Sequence, residues 1–96
     1  MKMLILVYND VSDEIVTGAL KKAHVQRYTK WKEVYGEGEE TEPKLGTHIW
    51  PGKNNVLAIV AEDDAMPLIR ETINITKKEH PKIGLKTFVL QVEETI

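Results

Sequence analysis

The chain of 96 residues contains no cysteine, and this absence narrows both its chemistry and its architecture. Without cysteine there are no disulfides, no thiolate nucleophiles and no cysteine-ligated zinc or iron–sulfur sites. A chain of this size buries only about 60–65% of the surface that its unfolded form exposes, so the fold depends on the packing of one small core. We therefore expect a single domain spanning residues 1–96.

The chain also lacks an excess of positive charge and a long apolar run. Thirteen basic and fifteen acidic residues give a formal net charge of -2, so nucleic acid is not an expected partner. The apolar stretch 1–8 is about half as long as a signal peptide and is followed by Asn9 and Asp10 rather than by a cleavage region. This pattern favours a strand. We expect no membrane insertion and interpret the protein as cytoplasmic.

The spacing of apolar residues predicts four strands and two helices. In chain order these are a strand over 1–8, a helix over 11–24, a strand over 25–35 with a bulge near 30–32, a strand over 56–61, a helix beginning near 63, and a strand over 87–92. The order is that of the ferredoxin-like βαββαβ fold, an α+β architecture with a four-stranded antiparallel sheet and two helices on one face.

The helix boundaries carry capping residues, and each helix has an apolar side. Asp10 or Ser12 is expected to cap the first helix, and Gly18 within it predicts a close approach of this helix to the sheet. Asp63 or Asp64 is expected to cap the second helix, with Pro67 in or near its first turn. The residues that this second helix is expected to bury are Leu68, Ile69, Thr72, Ile73 and Thr76.

Two of the predicted strands are apolar at odd and even positions alike. In the first strand Met3, Ile5 and Val7 alternate with Leu4, Leu6 and Tyr8, and the strand 56–61 behaves likewise. Two helices cover only one face of the sheet, and an exposed apolar patch of several hundred Å² normally marks an interface. We therefore expect a homo-oligomer packed through the open sheet face. The pattern does not decide which set of positions forms that face.

A long irregular segment, 33–52, separates the second and third strands. It contains four glycines, two prolines and an acidic run, and no periodic element fits it. Connections of this length in compact domains are usually functional or disordered. We predict that residues 37–44 are mobile and that limited proteolysis cuts there first.

Three stretches resemble the P-II signal-transduction family in their order and spacing. They are Glu33-Val34-x-Gly36-x-Gly38, the run Val56 to Asp63, and Pro81-Lys82-Ile83-Gly84 with the strand that follows. The resemblance implies a trimeric ferredoxin-like sensor. In such a sensor the loop between the second and third strands engages partner proteins, and clefts between subunits bind adenine nucleotides and 2-oxoglutarate. On this basis the ligand-binding candidates are Gly36, Gly38, Lys82 and Gly84, and the partner-binding candidates are Glu37, Glu39, Glu40, Glu42 and Lys44.

The chain also departs from the family pattern. A family glutamine that helps to hold 2-oxoglutarate and magnesium has no counterpart in Glu39-Glu40-Thr41-Glu42, and no arginine follows Arg70 to match the family's phosphate-binding tail. Lys82 is the remaining positional counterpart of that phosphate grip. The resemblance therefore implies a short, divergent member, and we expect adenine nucleotide to bind weakly or not at all.

His48 and Trp50 are two residues apart, so on an extended segment they point to the same side. They either line a ligand-binding cleft between subunits or pack beneath the loop. Imidazole and carboxylate groups also suit transition metals. The alternative function is therefore a metal-binding trimer resembling the CutA-type divalent-cation-tolerance proteins, with His48 as a ligand. Nothing in the spacing of acids and histidines specifies acid–base catalysis, so we do not expect an enzyme.

Overall fold

The computed structural model describes residues 1–36 and 52–96. Its strands are β1 (Lys2–Asn9), β2 (Thr29–Val34), β3 (Asn54–Ala61) and β4 (Lys86–Gln91), and its helices are α1 (Asp13–Lys22) and α2 (Met66–Glu79). Short 3-10 turns, Asp10–Ser12 and Asp63–Ala65, precede the two helices. The predicted βαββαβ order is confirmed.

The four strands form one sheet in the order β2-β3-β1-β4, and every neighbouring pair is antiparallel. The two central strands are therefore β1 and β3, which are the two most apolar runs of the sequence. Their register places Ile5 between Ala58 and Phe88, and Met3 between Val60 and Leu90. Because alternate residues of a strand point to opposite faces, this register assigns each apolar residue to one face of the sheet.

The core lies between the sheet and the two helices. Leu4, Leu6 and Tyr8 of β1 are fully buried on this side, together with Leu57 and Ile59 of β3. The helices contribute Val16, Leu20, Met66, Ile69 and Ile73, all buried. Each such side chain contributes about 1.5–3 kcal/mol of transfer free energy, so this cluster is the main source of stability.

The predicted apolar side of the second helix is wrong at one position. Leu68 is exposed, and Met66 is buried instead. Met66, Ile69, Ile73 and Thr76 follow three- and four-residue spacings along one side of α2, whereas Leu68 lies about 100° around the helix from Ile69. The prediction was based on the hydrophobicity of leucine, whereas the position of Leu68 around the helix leaves its side chain exposed.

The helix starts also differ from the prediction. The residues at the N-cap positions are Ser12 and Ala65, and neither makes a side-chain capping hydrogen bond. A 3-10 turn leads into each helix. Ser12, one of the two predicted caps of the first helix, does occupy the N-cap position, whereas Asp63 and Asp64 lie in the turn before the second helix. A Cβ atom added at Gly18 would meet nothing within 4 Å, so the predicted close approach of α1 to the sheet at this glycine is also wrong.

The second face of the sheet is apolar, and no helix of the described ranges, 1–36 and 52–96, covers it. Its residues include Met3, Ile5, Val7, Val56 and Ala58, with Trp31 50%, Val60 45%, Phe88 52% and Leu90 49% exposed. We call this set of residues the open face.

No helix in residues 1–36 or 52–96 is long and apolar enough to cross a membrane.

Candidate functional site

One end of the sheet gathers the start of β3, the end of β1 and the turn before β4. The Asn9 side chain donates from Nδ2 to the carbonyl of Lys82 at 2.8 Å, and the Asn9 N–H donates to the carbonyl of Ile83 at 2.9 Å. The Asp10 N–H donates to the carbonyl of Lys53 at 3.0 Å. These bonds connect the turn to the point where the chain enters β3. We call Asn9, Asp10, Gly36, Lys53 and residues 82–84 the loop-base site.

The turn at residues 82–84 is fixed on the core side by buried residues and is exposed to solvent on the other side. Ile83 and Leu85 are buried in the core, whereas Lys82 and Gly84 are exposed. Gly84 has a φ of 64°, a left-handed conformation that glycine adopts without steric cost. The side chain of Lys82 therefore lies at the surface above a turn whose backbone Asn9 holds in place.

Gly36 follows the end of β2 at the same end of the sheet. A Cβ atom added there would lie 2.9 Å from Nδ2 of Asn54, which is closer than ordinary packing allows. Glycine thus lets the chain pass close to the first residue of β3. On the other side of the site, Nζ of Lys53 lies 3.8 Å from Oε2 of Glu33, a distance that leaves the lysine charge only weakly engaged.

The structure places three of the predicted ligand-binding residues, Gly36, Lys82 and Gly84, at this end of the sheet. The other predicted site residues lie outside the described part of the chain. They are Gly38, His48 and Trp50, together with the predicted partner-binding residues Glu37, Glu39, Glu40, Glu42 and Lys44. Within the described ranges, 1–36 and 52–96, no three His, Asp or Glu side chains are grouped closely enough to hold a metal ion.

A buried polar cluster adjoins the loop-base site on the helix side of the sheet. Oδ1 of Asp13 accepts hydrogen bonds from the Tyr8 hydroxyl at 2.6 Å and from Nδ2 of Asn55 at 3.1 Å. Oδ2 of Asp13 accepts from Nζ of Lys30 at 2.7 Å. Oδ1 of Asn55 in turn accepts the backbone N–H of Glu33 at 3.0 Å. We call Tyr8, Asp13, Lys30 and Asn55 the Asp13 cluster.

The electrostatics of the Asp13 cluster follow from its burial and its one carboxylate. Burial raises the pKa of the Tyr8 hydroxyl above its usual range, and the hydrogen bond to Asp13 and the charge of Asp13 raise it further. Burial also raises the pKa of the Asp13 carboxyl, but hydrogen bonds from Lys30, Tyr8 and Asn55 outweigh it, so the net pKa lies below its usual range. At neutral pH the cluster therefore holds an ionised Asp13 and a neutral Tyr8.

The sequence prediction did not identify Asn9, Asp13 or Asn55. From the sequence, Asn9 was considered only as the residue that follows the first apolar run. One signal was present: asparagine is depleted in strands, yet Asn54 and Asn55 directly precede an apolar strand and end the long loop. A polar residue at a buried strand position indicates that its side chain has hydrogen-bond partners.

The model of the family described as Nitrogen regulatory protein P-II matches residues 1–96. This chain belongs to the P-II family. The resemblance inferred from the three sequence stretches is thereby confirmed. Proteins of this family are regulatory, so the assignment favours signalling over catalysis. A comparison with curated proteins finds no match.

Solved structures of other P-II-like proteins share the fold. A structure of CPII from Thiomonas intermedia K12 bound to ADP and bicarbonate has a TM-score of 0.74 at 18% identity, covering 97% of this chain and 88% of that chain. A second, with ADP, AMP and bicarbonate, has a TM-score of 0.71 at 18% identity with the same coverage. A third, with the same three ligands, has a TM-score of 0.69 at 17% identity, covering 95% and 92%.

Proposed function

We propose that this P-II protein is a non-catalytic regulator that binds a small effector at the loop-base site and presents the segment between Gly36 and Gly52 to a partner protein. The observation that carries the proposal is the pair of contacts made by Asn9 and Asp10. Asn9 holds the turn at 82–84, and Asp10 holds Lys53 at the end of the loop. An effector bound against the turn therefore contacts a backbone that is directly connected to one end of the loop.

We also propose that the protein is a homotrimer packed through the open face. Four large apolar side chains on that face are about half exposed in the single chain, and they adjoin Met3, Ile5 and Val7 of the central strand. A continuous apolar surface of this kind is typical of protein interfaces. The family assignment supports this interpretation, because proteins of the P-II family are typically trimeric.

An adenine nucleotide is the first effector to test. The CPII structures hold ADP or ADP and AMP, with bicarbonate, and Lys82 offers an exposed ammonium group above a fixed turn. Lysine commonly contacts phosphate as a point charge. Because the sequence has no arginine after Arg70, we expect the affinity for ADP to be weaker than micromolar.

Isothermal titration of the protein with ADP, in the presence and absence of bicarbonate, tests this proposal. Lys82→Ala should weaken binding by roughly tenfold or more, the value of one charge-assisted contact. Arg70→Ala is the matched control, because Arg70 is an exposed cation on α2, and it should leave the affinity unchanged. An equal loss of affinity in both variants would contradict the assignment of the loop-base site, and absence of ADP binding at millimolar concentration would exclude adenine nucleotide as its effector.

A further inference from the structure

The strand that leads into the loop contains a β-bulge of defined position. Trp31 lies opposite Val56 and Val34 lies opposite Asn54, so Lys32 and Glu33 together lie opposite Asn55. Two residues facing one is the defining geometry of a bulge, which bends its strand and increases the local twist. The sequence predicted a bulge near residues 30–32, and the structure places it at Lys32 and Glu33, directly before the chain leaves the sheet.

The bulge contains a strained residue that a specific contact holds in place. Glu33 has a φ of 58°, a left-handed conformation that is sterically strained for a non-glycine residue. Its backbone N–H donates to the side chain of Asn55. Asn55 is only 3% exposed, so water does not readily replace this acceptor. The conformation of Glu33 therefore depends on which atom of the Asn55 amide faces it.

Asp13 determines that orientation. A primary amide has one accepting and one donating end, and a rotation of 180° exchanges them. The ionised carboxylate of Asp13 only accepts hydrogen bonds, so it binds the donating Nδ2 of Asn55 and leaves Oδ1 to accept from Glu33. Lys30 and Tyr8 fix the carboxylate from two other directions. A charge at the start of α1 thus sets a backbone conformation on β2.

We propose that Asp13 is a positioning residue, which acts through Asn55 to hold the Glu33 bulge and thereby the path of the chain from Glu33 to Gly36 beside the effector site. The functional part of this inference rests on the function proposed above. Gly36 passes close to Asn54, so a change at the bulge alters the position of Gly36 relative to the other residues of the loop-base site. The segment Asn9–Asp13 then contacts the turn and the start of β3 directly, and it reaches the exit of β2 through Asn55.

Asp13→Asn tests the proposal with little change in shape. The new amide can donate, so the orientation of the Asn55 amide is no longer imposed, and the Glu33 N–H loses its acceptor part of the time. We expect the Glu33 amide, followed by NMR hydrogen exchange, to exchange roughly tenfold faster relative to the Val56 amide. The affinity for ADP should fall by a similar factor.

Tyr8→Phe is the matched control. It removes a hydrogen bond to the same oxygen of Asp13 but leaves the contact between Asp13 and Asn55 intact. A merely stabilising role for the cluster predicts equal effects of the two variants once the exchange rates are referred to Val56. The positioning role predicts faster Glu33 exchange in Asp13→Asn and exchange within about threefold of the wild type in Tyr8→Phe.

If Asp13→Asn does not fold, Asn55→Ser is used in its place. The short serine hydroxyl does not span the distance from Asp13 to Glu33, so we expect the same faster hydrogen exchange at the Glu33 amide. Unchanged Glu33 exchange in the folded variant, or equal acceleration in Tyr8→Phe, would overturn the positioning role. If the wild type binds no ADP, the assignment of adenine nucleotide as the effector fails, but the exchange of the Glu33 amide still decides the role of Asp13.

Discussion

The two faces of the sheet are similarly apolar, yet within residues 1–36 and 52–96 the helices cover only one of them. Leu4, Leu6 and Tyr8 are fully buried under the helices, while Met3, Ile5 and Val7 alternate with them on the open face and stay partly exposed. A strand that is apolar at both odd and even positions indicates that both faces of its sheet are to be covered. The placement of the helices determines which of the two faces the chain covers itself. We propose that other copies of the chain cover the second face.

The largest effect is expected for a charge on the helix-covered face. Leu6→Asp places a carboxylate in a fully buried position without a partner, which costs several kcal/mol. We expect the protein to be unfolded at room temperature, measured by circular dichroism. Leu6→Met, which nearly conserves volume, should cost less than about 1.5 kcal/mol. A cooperatively folded Leu6→Asp protein would contradict the assignment of Leu6 to the core.

A charge one residue earlier is expected to act on assembly instead. Ile5 lies on the open face between Ala58 and Phe88, so Ile5→Asp introduces repelling carboxylates wherever this face packs against its copies. Light scattering at micromolar concentration should report a trimer for the wild type and a smaller species for Ile5→Asp. A trimer that persists unchanged in this variant would show that the assembly uses another surface.

An intermediate effect is expected at Thr87, whose side chain lies on the helix-covered side opposite Leu6. Its hydroxyl oxygen is buried and has no hydrogen-bond partner within the described residues. Thr87→Val removes that unpaired polar atom at nearly constant shape, so we expect a gain of about 1 kcal/mol, or roughly 4–8 °C in Tm. Thr29→Val, at an exposed position of the open face, should change stability by less than about 0.5 kcal/mol. A loss of stability in Thr87→Val would indicate an unrecognised partner.

The smallest effect is expected from acid. Hydrogen bonds from Lys30, Tyr8 and Asn55 lower the pKa of the Asp13 carboxyl in the folded protein. The ionised carboxyl therefore stabilises the folded state above the ordinary aspartate pKa of about 3.9. This stabilisation is lost as the pH falls through the lower pKa that the carboxyl has in the folded protein. The stability difference between wild type and Asp13→Asn should therefore shrink in thermal melts between pH 5 and pH 2, while the exposed-carboxylate control Asp64→Asn follows the wild type. A difference independent of pH would show that Asp13 contributes through shape alone.

Much of the architecture was predictable because it depends on local patterns. Continuous apolar runs located β1 and β3, helical spacing located α1 and α2, and their order predicted the βαββαβ fold. The face of β1 that the helices cover was not predictable, since both sets of positions are apolar. It depends on how the helices return over the sheet, which is a property of the whole chain.

The candidate site also has one part that was predictable from the sequence and one part that was not. Gly36, Lys82 and Gly84 were identified through their place in a family pattern, and the structure puts them at one end of the sheet. The Asp13 cluster was missed because its members lie far apart in sequence: Asp13 and Asn55 are 42 positions apart. Each residue alone has an ordinary interpretation, and only the register of β1, β2 and β3 brings their polar atoms together.

The edge strand β4 has a consequence for how the protein is made. It lies at one side of the sheet and carries three successive exposed apolar residues, Phe88, Val89 and Leu90. An edge strand with such side chains is a template for cross-β aggregation. If the proposed trimer forms, a newly synthesised chain is prone to aggregate until it assembles. Assembly would then protect solubility as well as create a binding cleft, and cells should deposit a larger fraction of an assembly-defective variant than of the wild type in inclusion bodies.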